Sequence, residues 1–341
     1  MVNKKGTNQW GLKIYPPQDV LRETLTRYAS MGMNTQEKLR NLQKDHSLSI
    51  SDRKLRSLEK ELQIATVRRN PLPKEHLMQA IIDEVDKDLA QRNSANYVKD
   101  QLRLRNIMVK RDDVRKIMKQ YHPEGFEKRF PGGKKAKIPR TPLTAMGPFH
   151  EVSSDGHEKL GSLALDMYDL ALPIYGWKDK WTDMILKADV VPDCRSMGAI
   201  GHLYLDLLEA YGACGLQHTT DKGSEIGWIH SFQISVRDLL APQISMDAFP
   251  AHVALKSTNH TVIESLWRWL REKKGISIKE HILRGKNEHI YRPQILYHRD
   301  LFYWIFPKLV QAELDEFVLW WNNHRVRAQP NKNIIRKTVS Q

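Results

Sequence analysis

The sequence predicts an α/β core, a mixed sheet flanked by helices, preceded by an all-α region of helix-turn-helix type. Three observations carry that reading. In the first third, apolar residues recur at helical spacing, in two weakly similar copies. Beyond residue 150, short extended runs alternate with helical ones. The charge is also split: residues 1–150 hold 31 Lys/Arg against 17 Asp/Glu, a surplus of 14, while the remaining 23 basic and 23 acidic residues cancel, leaving the net +14 of the chain in its first part. A basic part joined to a neutral part is the footprint of a nucleic-acid-binding module attached to something else, although a solvated basic surface would look the same.

Composition narrows the classes. A chain of 341 residues with 40% hydrophobic and 8% aromatic residues can bury a core and is not globally disordered. No apolar run approaches the roughly 18 residues of a membrane span. Residues Met1-Val2-Asn3-Lys4-Lys5-Gly6 form no apolar signal segment, which points to an intracellular protein. The two cysteines, Cys194 and Cys214, fit a reducing compartment and cannot build a zinc site alone.

Residues 18–63 read as three helices. Leu21, Leu25 and Tyr28 share one helical face, and Met31-Gly32-Met33 breaks the run. Asn34-Thr35 can cap a second helix with Leu39 and Leu42 inward. Ser51 can cap a third, carrying Leu55, Leu58 and Leu62 inward and Arg53, Lys54, Arg56 and Lys60 outward. A short helix, a tight turn and a basic third helix meet the needs of a helix-turn-helix unit. The pattern then returns: Ile50/Val109, Leu55/Val114, Arg56/Arg115 and Leu58/Ile117 fall in register, and Asn93-Ser94 parallels Asn34-Thr35. Two units, 1–70 and 71–121, would read adjacent major-groove segments through Arg53, Arg56, Arg111 and Arg115. A plain helical bundle with basic outer faces is the alternative. Residues 122–149, with Pro131-Gly132-Gly133 and Lys134-Lys135-Ala136-Lys137, read as a basic linker that could track phosphates or act as a nuclear import signal.

From residue 150 to 290 the pattern is mixed. Pro173–Lys178 and Met184–Val191 suit a hairpin, Met197–Tyr211 a helix, Leu216–Thr220 and Ala251–Lys256 strands, and Thr261–Lys273 a helix stopped by Gly275. Residues 291–341 read as a helical extension whose aromatics (Phe302, Trp304, Phe317, Trp320, Trp321) pack a core rather than stack on bases.

Three acids stand out by context. Asp155 and Asp221 each end a short extended run with a glycine within two residues, and Glu264 sits in the first turn of a helix. A phosphodiester resists attack because its charge repels nucleophiles and its alkoxide leaves poorly. Two divalent ions on a few carboxylates answer both problems. The pattern therefore nominates Asp155, Asp221 and Glu264 as catalytic, metal-binding carboxylates for Mg²⁺ (or Mn²⁺), with Glu225 and Glu272 as rivals for the second and third places. Ordinary surface or capping acids would also fit the spacing. Lys222, Lys256, Ser257 and Asn259 are candidate DNA contacts beside them, and His157 and His260 lie close in sequence.

Four motifs extend this: Ser154-Asp155-Gly156-His157, Thr220-Asp221-Lys222-Gly223-Ser224-Glu225, Lys256 through Arg268 with Asn259-His260 and Glu264-Ser265-Leu266-Trp267, and Trp320-Trp321-Asn322-Asn323-His324-Arg325. Through them residues 150–330 resemble an integrase core domain, of the retroviral-type integrase and DDE transposase superfamily, and particularly fungal transposon-derived members. The resemblance implies an RNase H-like fold, metal-dependent DNA strand transfer, DNA partners (element ends and a target duplex), a homo-multimer, no membrane and a nuclear location. A catalytically silent, domesticated DNA-binding protein and a nuclease on the same fold are the alternatives. Departures from the family are the missing His/Cys zinc module, the 42 residues between Asp221 and Glu264, and an apparent insertion at 160–172.

Overall fold

Helices fill the first third of the chain and the sheet begins at residue 151. The structure is a computed structural model that describes residues 13–69, 72–125, 145–158, 160, 170–255 and 260–324. The expected import cluster Lys134–Lys137, most of the expected insertion (161–169), Lys256, Ser257, Asn259 and Arg325 lie outside the described residues. Two compact units divide the chain: Met1–Lys87 with Asn93–Glu127, and Asp88–Arg92 with Lys128–Gln341.

The first unit contains two successive sets of three helices. In the first set α1 (Gln18–Ser30), α2 (Thr35–His46) and α3 (Asp52–Glu61) close around Leu21, Leu25, Tyr28, Leu42, Leu55 and Leu58. In the second, α4 (Lys74–Asp86), α5 (Ala95–Leu104) and α6 (Arg111–Tyr121) close around Ile81, Val85, Val98, Leu102, Val114 and Ile117. The caps explain where the helices start. Asn34 and Glu37 bond reciprocally at the head of α2, and the hydroxyls of Ser51 and Ser94 accept from Lys54 N–H and Tyr97 N–H, both at 3.3 Å. Each such cap stabilises its helix by about 1 kcal/mol. The repeat is visible in the packing: Ile50 and Val109, Leu55 and Val114, and Leu58 and Ile117 are buried pair by pair, while Arg56 and Arg115 are both exposed.

The second unit is built on a five-stranded mixed sheet in the order β3-β2-β1-β4-β5, flanked by helices. Strands β1 (Glu151–His157), β2 (Ile174–Asp179) and β3 (Ile185–Val190) run antiparallel in sequence, whereas β4 (Gln217–Thr220) and β5 (His252–Ala254) join parallel beyond β1. Parallel pairing needs a crossover, and α7 (Met197–Tyr211) and α8 (Ile226–Leu240) supply the helices. Strand alternation sorts the two faces. Val152, Tyr175 and Trp177 meet Ile200, Tyr204 and Ile229 on the α7/α8 side. Asp155, His157, Gly176 and Lys178 fall on the other side, under α9 (Thr261–Leu270).

Two expectations need correction. Gly275 does not stop a helix: α9 passes through a π-helical turn, Arg271–Gly275, straight into α10 (Ile276–Asn287). Gly275 takes ordinary right-handed values (φ −60, ψ −37), so its permissive backbone is not used, and Lys274 is held by Glu313 and Glu316 of α11 (Leu296–Asn323). The aromatics of α11 also divide. Phe302, Phe317, Trp320 and Trp321 are buried, but Trp304 is 64% exposed and Tyr303 45%. Helix α11 packs along β3, where Trp321 Nε1 donates to the Asp183 carbonyl at 2.6 Å and Asn322 bonds both backbone groups of Ile185. Among the described residues no helix is long and apolar enough to cross a membrane.

Candidate active site

Three separate elements deliver the three acids to one place. Asp155 is the fifth residue of β1, a central strand of the sheet. In the parallel β1/β4 register Ser153 faces Thr219, so Asp155 and Asp221 each lie two residues further on, on the same face of adjacent strands. Asp221 follows the last residue of β4, and its Oδ1 accepts from Gly223 N–H at 3.0 Å. Glu264 stands in the first turn of α9, which packs against β1 and β2.

A buried lysine ties that helix down. Lys178, fully buried on β2, donates to Ser265 Oγ at 3.0 Å and to the Val262 carbonyl at 3.4 Å, and pairs with Asp183 at 2.7 Å. Its ammonium also sits 4.8 Å from the centre of the Trp321 ring. The first turn of α9 is therefore anchored from beneath, and the turn carrying Glu264 cannot drift from the sheet without exposing that charge.

Asp155, Asp221 and Glu264 all line one cavity of about 670 Å³. Their charges act on one another. Burial, with Asp221 and Glu264 adding repulsion, pushes the Asp155 carboxyl up to about 7, against hydrogen bonds from the Trp267 indole and the Gly156 amide that favour its ionised form. Glu225 lines the cavity as well; burial, reinforced by Asp221, raises its pKa too. It therefore stands in the cavity beside Asp221 instead of replacing it. Glu272 is not among the cavity residues.

The remaining candidates scatter. Lys222 is exposed and does not line the cavity. Arg53, Arg56, Arg111 and Arg115 are exposed on α3 and α6 of the first unit, with Arg56 paired to Asp52 at 2.8 Å. His157 lines the cavity and stacks on Trp267. His260 is buried just before α9; burial lowers its pKa and Asp221 opposes that. Behind the sheet, His218 Nε2 meets Ser154 Oγ at 2.8 Å, and burial, with His252 and His260 adding to it, lowers the His218 pKa to about 3.

Sequence reasoning did not single out the cations of the cavity, Arg195, Arg268 and Arg271. A signal existed for two of them. Arg268 and Arg271 follow Glu264 by four and seven positions, one helical face. Arg195 carried none; a loop after β3 brings it in, where it pairs with Glu158 at 3.3 Å. Acids on the floor with arginines on the rim form a site that can take both cations and phosphates. The carboxylate oxygens are hard donors that suit Mg²⁺ or Mn²⁺. Among the described residues no three His, Cys, Asp or Glu side chains form a closed metal cage, so the fit rests on donor type and the shared cavity.

No protein-family model matches the sequence, and no curated protein matches it. Solved structures that overlap with it are transposase and intasome complexes. One is a chain of the simian T-cell lymphotropic virus intasome in complex with PP2A regulatory subunit B56 gamma: 12% identical, covering 68% of this chain and 66% of that one, TM-score 0.34. Another is the Mos1 transposase paired-end complex with the left transposon end, 10% identical over 80% of this chain and 94% of that one, TM-score 0.20. A third is a pre-cleavage Mos1 transpososome, 10% identical over 81% and 95%, TM-score 0.20. Overlap at these scores is too loose to define a fold.

Proposed function

We propose that the protein is a DNA strand transferase of integrase or transposase type, with an RNase H-like second unit that carries the chemistry and a helix-turn-helix first unit that binds duplex. The observation that carries the reading is the meeting of Asp155, Asp221 and Glu264, from two parallel strands and a helix, at one cavity rimmed by arginines. Asp155, Asp221 and Glu264 would hold divalent ions, which activate an attacking oxygen and stabilise a leaving one on a phosphodiester. Arg195, Arg268 and Arg271 would take the phosphates of the strand being cut or joined, since a guanidinium matches phosphate geometry with two parallel hydrogen bonds. The backbone partners of Asp155 and Asp221, the amides of Gly156 and Gly223, hold the carboxylates without adding charge. Asp155, crowded by its neighbours, is the carboxylate with most to gain from a positive charge in the cavity.

The first unit would supply affinity. Its exposed Arg53, Arg56, Arg111 and Arg115 lie at matching places on α3 and α6, and duplex binding through them would fall steeply with salt. A homo-multimer, element ends and target duplex as partners, and a nuclear location belong to the same reading.

The test is joining of labelled DNA ends to a target duplex in Mg²⁺ or Mn²⁺. Asp155→Asn and Glu264→Gln should each reduce joining on the order of a thousandfold or more while leaving duplex binding intact. Absence of joining by the unsubstituted protein on every end tried would favour a silent DNA-binding protein. Cleavage without joining would favour a nuclease.

A further inference from the structure

We infer that Trp267 is a positioning residue for the Asp155 carboxylate, and that Gly176 exists to let it reach there. This deepens the reading above and rests on the cation role given there to Asp155. The indole Nε1–H of Trp267 donates to Asp155 Oδ2 at 3.1 Å, across 112 positions of sequence. The other carboxylate oxygen, Oδ1, accepts from Gly156 N–H at 2.8 Å. Both oxygens are thus oriented by neutral donors. Each keeps a second lone pair free for a ligand.

The indole is itself fixed on every side. It is 4% exposed, and it stacks on His157, two residues along β1 from Asp155, with ring centroids 4.9 Å apart and planes 19° apart. Its far edge lies over Gly176, the residue directly opposite Asp155 in the β1/β2 ladder. A Cβ at 176 would fall 2.8 Å from Trp267 Cη2, closer than such atoms approach, so any side chain there would push the ring off the carboxylate. Trp267 also stands three positions after Glu264 on α9, one turn along. One ring therefore links the strand carboxylate to the helix that carries the third acid. Partners that orient a metal-ligating group in this way set the affinity of the site, commonly by about ten- to a hundredfold.

The experiment measures Mn²⁺ binding to the full chain by electron paramagnetic resonance, alongside indole resonances in ¹H–¹⁵N spectra. Trp267→Phe keeps the ring and the stack but removes the N–H. It should weaken Mn²⁺ binding about tenfold with the thermal midpoint little changed. Gly176→Ala, which keeps Trp267 but displaces it, should show a similar loss and carries the binding test if Trp267→Phe fails to fold. In metal-free protein, the indole resonance that vanishes in Trp267→Phe should move in Asp155→Asn; if it does not, the hydrogen bond and the proposal are overturned. If Asp155→Asn loses Mn²⁺ but both Trp267→Phe and Gly176→Ala bind like the unsubstituted protein, the positioning role fails alone. If the unsubstituted protein binds no more Mn²⁺ than Asp155→Asn, the cation site fails and takes this inference with it.

Discussion

The two units of this chain handle charge in opposite ways. In the first, arginines and lysines stand on exposed faces of α3 and α6, and the apolar partners beneath them, Leu55 with Leu58 and Val114 with Ile117, sit one turn apart in their own helices. In the second, net charge cancels, yet like charges are gathered: Asp155, Asp221, Glu225 and Glu264 line a single cavity. Spreading like charge over a solvated surface costs little and needs only local helical order. Gathering it requires a framework that does not yield. The sheet register, the Lys178 anchor and the Trp267 ring provide one. A surface for binding and a pocket for chemistry thus ask for different folds.

The comparison can be broken most decisively at the binding face. Replacing Arg53, Arg56, Arg111 and Arg115 together by Ala should weaken duplex binding about a hundredfold at moderate salt. It should also lower the slope of log affinity against log salt by about 3–4, at about 0.9 for each phosphate no longer neutralised. Fluorescence anisotropy over a salt series measures both. An unchanged slope would remove the first unit from the interface. The thermal midpoint should stay nearly unchanged, since Arg56–Asp52 is an exposed pair of the kind that contributes well under about 1 kcal/mol.

A smaller effect is expected from the anchor. Lys178→Met keeps the apolar stem but leaves the Asp183 carboxylate and Ser265 without their cation, and should destabilise the second unit by about 2–3 kcal/mol. Urea unfolding resolves it as a shift of one transition. Equal losses in both units would show that they do not unfold separately.

The smallest effect sharpens the idea of gathered charge. The Asp155 pKa is raised from 3.8 to about 7, so the folded state holds a proton that the unfolded chain releases. The sign follows: this cost is absent below about pH 4, grows between 4 and 7, and is complete above 7. In chelator-containing buffer, Asp155→Asn should therefore raise the thermal midpoint by roughly 2 °C or more at pH 8, and the gain should vanish near pH 4. A gain that persists at pH 4 would assign the effect to packing instead.

Much of the order of elements was legible because it is local. Helical spacing, the caps at Asn34, Ser51 and Ser94, and the Asp179–Asp183 turn between β2 and β3 are written within a few residues of where they act. The acids were found by what surrounds each one in sequence, and the structure places them around one cavity. What escaped was non-local or two-valued. Nothing near Trp267 in sequence announces a bond to Asp155, and Arg195 enters on a loop whose path depends on the sheet. Gly275 reads as a stop because glycine often ends helices, but here α11 carboxylates hold Lys274 and the helix runs on. Trp304 resembles its buried neighbours in composition, and only the direction in which α11 lies on β3 turns it outward.

The π-helical turn at Arg271–Gly275 has a corollary for variation. Ile276 N–H reaches back five residues to the Arg271 carbonyl, so this stretch holds one residue more than a regular helix needs. Deleting one position would restore ordinary winding yet swing everything downstream by about 100°. The buried Ser277 and Ile282 would swing toward solvent. Substitutions here are tolerable, then, in a way that shortening is not: what this segment conserves is its count.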